Sequence, residues 1–141
     1  MSSDASYRLD APARDGSVDL VHELIDRLWT HEPAPSAEDR IRFEMAVIEI
    51  VGNIIEHAAR IDPPAVDPRR FELAIACTDG AIEADVSDDG KPVEIDLVSV
   101  TMPGEDAESG RGLALAQAAV DELSYDRVGP RNHWRLVCHR S

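Results

Sequence analysis

Glu49 and Asn53 stand four residues apart in the stretch IEIVGNIIEH, residues 48–57. A carboxylate can orient water or take a proton from a hydroxyl, and a carboxamide oxygen suits Mg²⁺. On a helix this spacing sets both groups on one stripe with Arg42, Ala46, His57 and Arg60. Phe43, Val47, Ile50, Ile54 and Ala58 occupy one flank of that stripe; Met45, Ile48, Gly52, Ile55 and Ala59 occupy the other. A solvated helix face would also explain a polar stripe. Such faces favour long charged side chains, however, and Asn is a poor helix-interior residue. His57 lies two turns beyond Glu49, about 12 Å along a helix axis, and is read as structural.

Two further segments carry candidate chemistry. In ADVSDDGKPVEID (84–96), Asp88 would end a strand with its carboxylate toward whatever covers the sheet. There it could accept a hydrogen bond from an exocyclic amine such as that of adenine, with Gly90 letting the backbone approach a flat ligand. Asp89-Gly90 equally suits a plain hairpin turn. In ESGRGLALAQAAV (108–120), Gly110-Arg111-Gly112 precedes a helix whose opening lacks side-chain bulk. Free N–H groups at a helix N-terminus, with glycines permitting close approach, form a phosphate site. Arg111 would add positive charge for a terminal phosphate. A flexible loop capping a helix is the plainer alternative.

The elements that must position these groups follow from pattern. Residues 5–10 suit a short edge strand. Ser17 opens an amphipathic helix with apolar residues at 18, 21, 24, 25 and 28. Ser36 caps a second helix that runs to about Ile61, where DPPAVDP stops it. Residues 71–77 and 81–87 alternate across Thr78-Asp79-Gly80 as a hairpin. A loop over about 88–111 leads to a third helix, LALAQAAVDEL, and to two strands, LSYDRV and HWRLVCH, joined by GPRN. This order predicts an α+β two-layer sandwich: a mostly antiparallel sheet covered on one face by helices, in a single domain over 1–141.

Composition narrows the function classes. The formal charge of −14, from 28 acidic and 14 basic residues, argues against a partner held by its phosphate backbone. Aromatic residues make up only 4%, too few for a base-stacking surface. No segment has the length of a membrane span, and the N-terminal stretch lacks the apolar core of a secretory signal, so a cytoplasmic location is expected. Cys77 and Cys138, far apart in apolar strand-like stretches, read as buried reduced thiols.

Taken in order, E-x-x-x-N-x-x-x-H on a helix, D-x-G after a hairpin strand, and G-x-G-L opening a helix resemble the Bergerat, or histidine-kinase-like, ATPase fold. Within that superfamily the chain is most similar to the bacterial anti-sigma factor serine kinases. The likeness runs through EIVGNIIEHA (49–58), DDGKPVEID (88–96), SGRGLAL (109–115) and VDELSYDRVGPRNHWRLVCH (120–139). It implies that Glu49 is the general base and Asn53 the Mg²⁺ ligand. It makes Asp88 the adenine-binding aspartate, with Gly90 beside the base. Gly110, Gly112 and Leu113 would belong to the phosphate-binding segment, Arg111 to the catalytic set, and residues 97–111 to an ATP lid. Pro92 and Ser109 stand where the superfamily often has glycine.

The resemblance further implies ATP and Mg²⁺ as cofactors and a homodimeric protein serine kinase. Its partners would be a sigma factor and a STAS-domain antagonist, with no direct contact to nucleic acid or membrane. A non-catalytic nucleotide switch that sequesters a protein partner is the alternative reading. In either case Mg²⁺, the helix N-terminus and Arg111 must neutralise the nucleotide locally, while the remaining acidity suits a basic partner surface.

Overall fold

Alternation of apolar and polar residues builds the sheet. In the computed structural model, which describes residues 4–61, 69–90 and 108–141, five strands pair in the order β1-β2-β3-β5-β4, every neighbour antiparallel. They are β1 (Ala5–Pro12), β2 (Arg70–Cys77), β3 (Ala81–Asp88), β4 (Glu122–Val128) and β5 (Arg131–His139). Phe71, Leu73, Ile75 and Cys77 of β2 point into the core, with Ile82, Ala84 and Val86 of β3 and Trp134, Leu136 and Cys138 of β5. The opposite face is polar and laced across strands: Arg135 reaches Asp85 at 3.0 Å and Glu83 at 3.3 Å, and Arg70 reaches Asp10 at 2.9 Å. Among the described residues no helix covers that face.

Among the described residues three helices cover the inner face. Helix α1 (Ser17–Leu28) buries Val21, Leu24, Ile25 and Leu28, the period expected of a helix lying on a sheet. Ser17 is its first residue, and its hydroxyl donates to the Pro12 carbonyl at 2.7 Å, tying the helix start to β1. Helix α2 (Ala37–Ile61) starts where Ser36 Oγ accepts the Asp39 N–H at 3.1 Å. It buries Phe43, Val47, Ile50, Val51 and Ile54 along one side. Helix α3 (Glu108–Ala119) lies antiparallel to α2, since Arg42 near the start of α2 meets the last residue of α3 and Glu49 farther along meets Gly112.

The structure bears out the α+β sandwich and the element order, and it corrects both ends of α3. The helix begins at Glu108, ahead of the glycines rather than after them. It ends at Ala119, not at Leu123. The early end has a local cause. Arg42 Nη1 donates to the Ala119 carbonyl at 2.9 Å, while Asp121 N–H bonds the Val137 carbonyl at 3.0 Å. Asp121 Oδ2 in turn accepts the His139 N–H at 2.6 Å. The chain is thereby drawn out of the helix and onto the edge of β5, so Glu122 and Leu123 open β4 instead.

The same corner anchors the start of α2. Asp39, 1% exposed, accepts the Ser141 amide at 2.9 Å and hydroxyl at 3.0 Å, and it pairs with Arg42 at 3.0 Å. These bonds, the Ser141 amide foremost, lower its pKa from 3.8 to about 2. Cys77 and Cys138 are free and buried, and burial pushes the Cys138 thiol up to about 11. Neither is poised as a nucleophile.

Candidate functional site

Helix α2, which carries Glu49 and Asn53, packs against both α3 and β3, the elements that bear the other candidate residues. Along the α2 stripe, Arg42 caps α3 and Ala46 is fully buried, so this part of the stripe faces α3 rather than water. Glu49 follows, half-buried, and the first turns of α3 lie against it. A Cβ placed on Gly112 would overlap the Glu49 carboxylate oxygen and come within 3.4 Å of its Cδ. Glycine is the only residue that leaves the carboxylate where it stands. Asn53, one turn on, is also half-buried. The solvated-stripe explanation therefore fails for the segment that carries Glu49.

The start of α3 changes how the glycines act. With the helix opening at Glu108, its free amides are those of Glu108, Ser109 and Gly110, while the Gly112 N–H lies within the intrahelical ladder. Gly110 thus retains an outward N–H for an anion; Gly112 contributes clearance over Glu49. Leu113 is 1% exposed and belongs to the core, so its side chain serves packing. Arg111 lies in the same first turns, and its side chain falls outside the described residues. Residues 91–107, including Pro92 and most of the expected lid, also lie outside them.

Asp88 ends β3 on the helix side, 5% exposed. Its Oδ1 accepts the Gly90 N–H at 2.8 Å and the Asn132 side-chain amide at 3.0 Å. A Cβ on Gly90 would sit 2.8 Å from that same oxygen, so Gly90 is needed for space; its φ is not positive. Asp89 turns the other way, its Oδ1 accepting the Arg70 N–H at 3.2 Å. Asp88 sits opposite Asn132 in the β3–β5 register, and Asn132 is 1% exposed. The Asn132 Oδ1 accepts from the Tyr125 hydroxyl and from Arg127 Nη1, and the same Nη1 donates to the Gly90 carbonyl at 2.7 Å.

Sequence reasoning missed this trio from the β4–β5 hairpin. The available signal was Asn132 itself, an amide placed early in a strand on the inward-facing parity, where an apolar residue is the rule. His57 Nε2 and Trp134 Nε1 are among the buried polar atoms with no hydrogen-bond partner among the described residues.

The sequence matches the family model described as the histidine kinase-like ATPase domain over residues 11–138. The chain belongs to that family. Among solved structures, this ATPase domain is similar to the crystal structure of the RsbU and RsbW domains of Rv1364c from Mycobacterium tuberculosis. The TM-score is 0.67 at 20% identity, with 97% of this chain and 33% of that chain covered. A likeness at that identity speaks to the fold, and this chain spans about a third of that longer one. No curated protein matches the sequence.

ATP is the ligand that the family implies, and the residues present fit it. Gly112 lies directly against the Glu49 carboxylate, and Gly90 and Asp88 form a tight, inward-facing edge. Among the described residues no cluster of three His, Cys, Asp or Glu stands ready to hold a metal unaided. Among the described residues, no helix is long and apolar enough to cross a membrane.

Proposed function

We propose that this histidine kinase-like ATPase domain is an ATP-dependent protein serine kinase that doubles as an anti-sigma factor. The observation carrying the proposal is the Glu49 carboxylate lying against the bare face of Gly112. A carboxylate kept clear by a glycine at the mouth of a phosphate-binding helix suits proton removal beside a transferring phosphoryl group.

In this mechanism Asp88 accepts the exocyclic amine of adenine, with Gly90 beside the base. The amides of the first turn of α3, Gly110 among them, and Arg111 hold the terminal phosphate. Glu49 takes the proton from the attacking seryl hydroxyl. Asn53 would hold Mg²⁺ when the nucleotide is bound, and the ion would supply positive charge for the phosphate oxygens.

The protein substrate in this reading is a STAS-domain antagonist, and the sequestered partner is a sigma factor. The net charge of −14 complements the basic, nucleic-acid-binding surface that such a factor presents. The domain is taken to comprise residues 1–141 and to act in the cytoplasm as a homodimer.

The test is phosphoryl transfer from radiolabelled ATP to candidate STAS proteins, with Glu49→Ala alongside the wild type. The expected result is label on a serine with the wild type, and ATP binding without transfer in the variant. Undiminished transfer by Glu49→Ala would remove Glu49 from the mechanism. Binding without transfer in the wild type would instead indicate a nucleotide-dependent sequestering protein.

A further inference from the structure

The hydrogen bonds around Asp88 fix more than its place. Asn132 cannot turn its amide over: its Oδ1 accepts from the Tyr125 hydroxyl and from Arg127 Nη1 at 3.1 Å, so its Nδ2 must face Asp88. Flipping it would set an NH₂ group against the Arg127 guanidinium, which can only donate, and a carbonyl against a carboxylate. Asp88 Oδ1 therefore takes one N–H from Asn132 at 3.0 Å and one from Gly90 at 2.8 Å. Both Asp88 hydrogen bonds among the described residues fall on this oxygen, and Oδ2 receives none. Arg127 adds a second restraint by holding the Gly90 carbonyl at 2.7 Å, tying the backbone beyond β3 to the β4–β5 hairpin. Asp88 and Asn132 are 5% and 1% exposed, so water cannot readily substitute for a lost partner.

A carboxylate locked in this way offers one outward oxygen that accepts a hydrogen bond and has none to donate. We propose that Asn132, oriented by Tyr125 and Arg127, is a positioning residue that holds Asp88 as a pure acceptor and makes the site select 6-aminopurine over 6-oxopurine nucleotides. The proposal rests on the reading of Asp88 as the base contact. An amine at C6 donates to Oδ2; a carbonyl oxygen at C6 meets it acceptor to acceptor. Without the Asn132 donor the Asp88 carboxyl can turn about its Cβ–Cγ bond, and the rejection weakens.

The experiment is calorimetric titration of ADP and of IDP into the full chain, reading the ratio of the two dissociation constants. The wild type is expected to prefer ADP by at least about 100-fold, as sites built around one hydrogen bond do. Asn132→Leu, which keeps size but removes the donor, is expected to bind ADP about tenfold more weakly and to lower the ratio to roughly ten or less. A merely structural role would weaken both nucleotides equally and leave the ratio unchanged, which overturns the proposal.

Tyr125→Phe removes one of the two donors that orient the amide and is expected to give an intermediate ratio. It decides the matter if thermal unfolding shows Asn132→Leu to be misfolded, and an unchanged ratio there overturns the proposal too. Asp88→Ala separates the two levels of the argument. If it leaves ADP binding intact, the reading of Asp88 as base contact is wrong. If it abolishes ADP binding while Asn132→Leu keeps the wild-type ratio, only the role of Asn132 is wrong.

Discussion

Replacing Gly112 by alanine isolates the contact between α3 and Glu49. In a helix, alanine is favoured over glycine by about 0.5–1 kcal/mol, so helix propensity alone predicts a more stable protein. The added methyl, however, would overlap the Glu49 carboxylate and come within 3.4 Å of its Cδ. The obstructing group is the far end of a flexible side chain, which can escape by leaving its rotamer at a cost of about 0.5–1.5 kcal/mol. The two effects nearly cancel, and Gly112→Ala should change the unfolding free energy by less than about 1 kcal/mol. Activity should respond differently. Moving a reacting group by about 1 Å can cost roughly 100-fold in rate, so transfer should collapse in a folded protein. In a Glu49→Ala background the obstruction is gone, and Gly112→Ala should then stabilise by the full propensity gain. Urea unfolding of the four proteins measures the coupling directly. A coupling indistinguishable from zero would refute the claim that Gly112 is glycine for the sake of Glu49.

Three other substitutions probe the frame that holds the site. Asp39 has its pKa depressed to about 2, so its contribution is present in full above about pH 4 and is lost as pH falls toward 2. Asp39→Asn should destabilise by about 2 kcal/mol at neutral pH and by little at pH 2, as followed by denaturant unfolding across that range. Leu113→Ala, at a site 1% exposed, should cost about 2–5 kcal/mol in the same assay, because its surroundings cannot collapse fully into the space. Gly129, in the β4–β5 turn, has φ of 57°, so Gly129→Ala should cost about 1–2 kcal/mol in thermal or urea unfolding.

Much of this architecture was legible in the residues because it is local. The alternation of Phe71, Leu73, Ile75 and Cys77 against Glu72 and Ala74 marks a strand with one covered face, and the hairpin follows from Asp79-Gly80. Ser36 and the prolines after Ile61 bracket α2 for equally local reasons. The limits of α3 were not legible, because they depend on distant groups. Arg42 and His139 reach across more than seventy and about twenty residues of sequence to end the helix and start β4.

The candidate site divides in the same way. Glu49 and Asn53 announce themselves by interrupting an apolar helix, and Asp88 by closing a strand. Asn132, Tyr125 and Arg127 could not be placed beside Asp88 until strand order was known, since β5 inserts between β3 and β4. Gly112 reads in the sequence as permitting close approach to a phosphate, and that it also lies against Glu49 is visible only once α2 and α3 are seen to cross.

The central claim is that the α2 stripe and the end of β3 form one Mg-ATP site. Its most direct measurement is a calorimetric titration of Mg-ATP into the wild type, Asn53→Ala and Asp88→Ala, each checked for folding. The account predicts micromolar binding by the wild type and a loss of at least about 100-fold in either variant, since each removes a partner of a charged or base-reading group. Wild-type affinity persisting in both folded variants would contradict it.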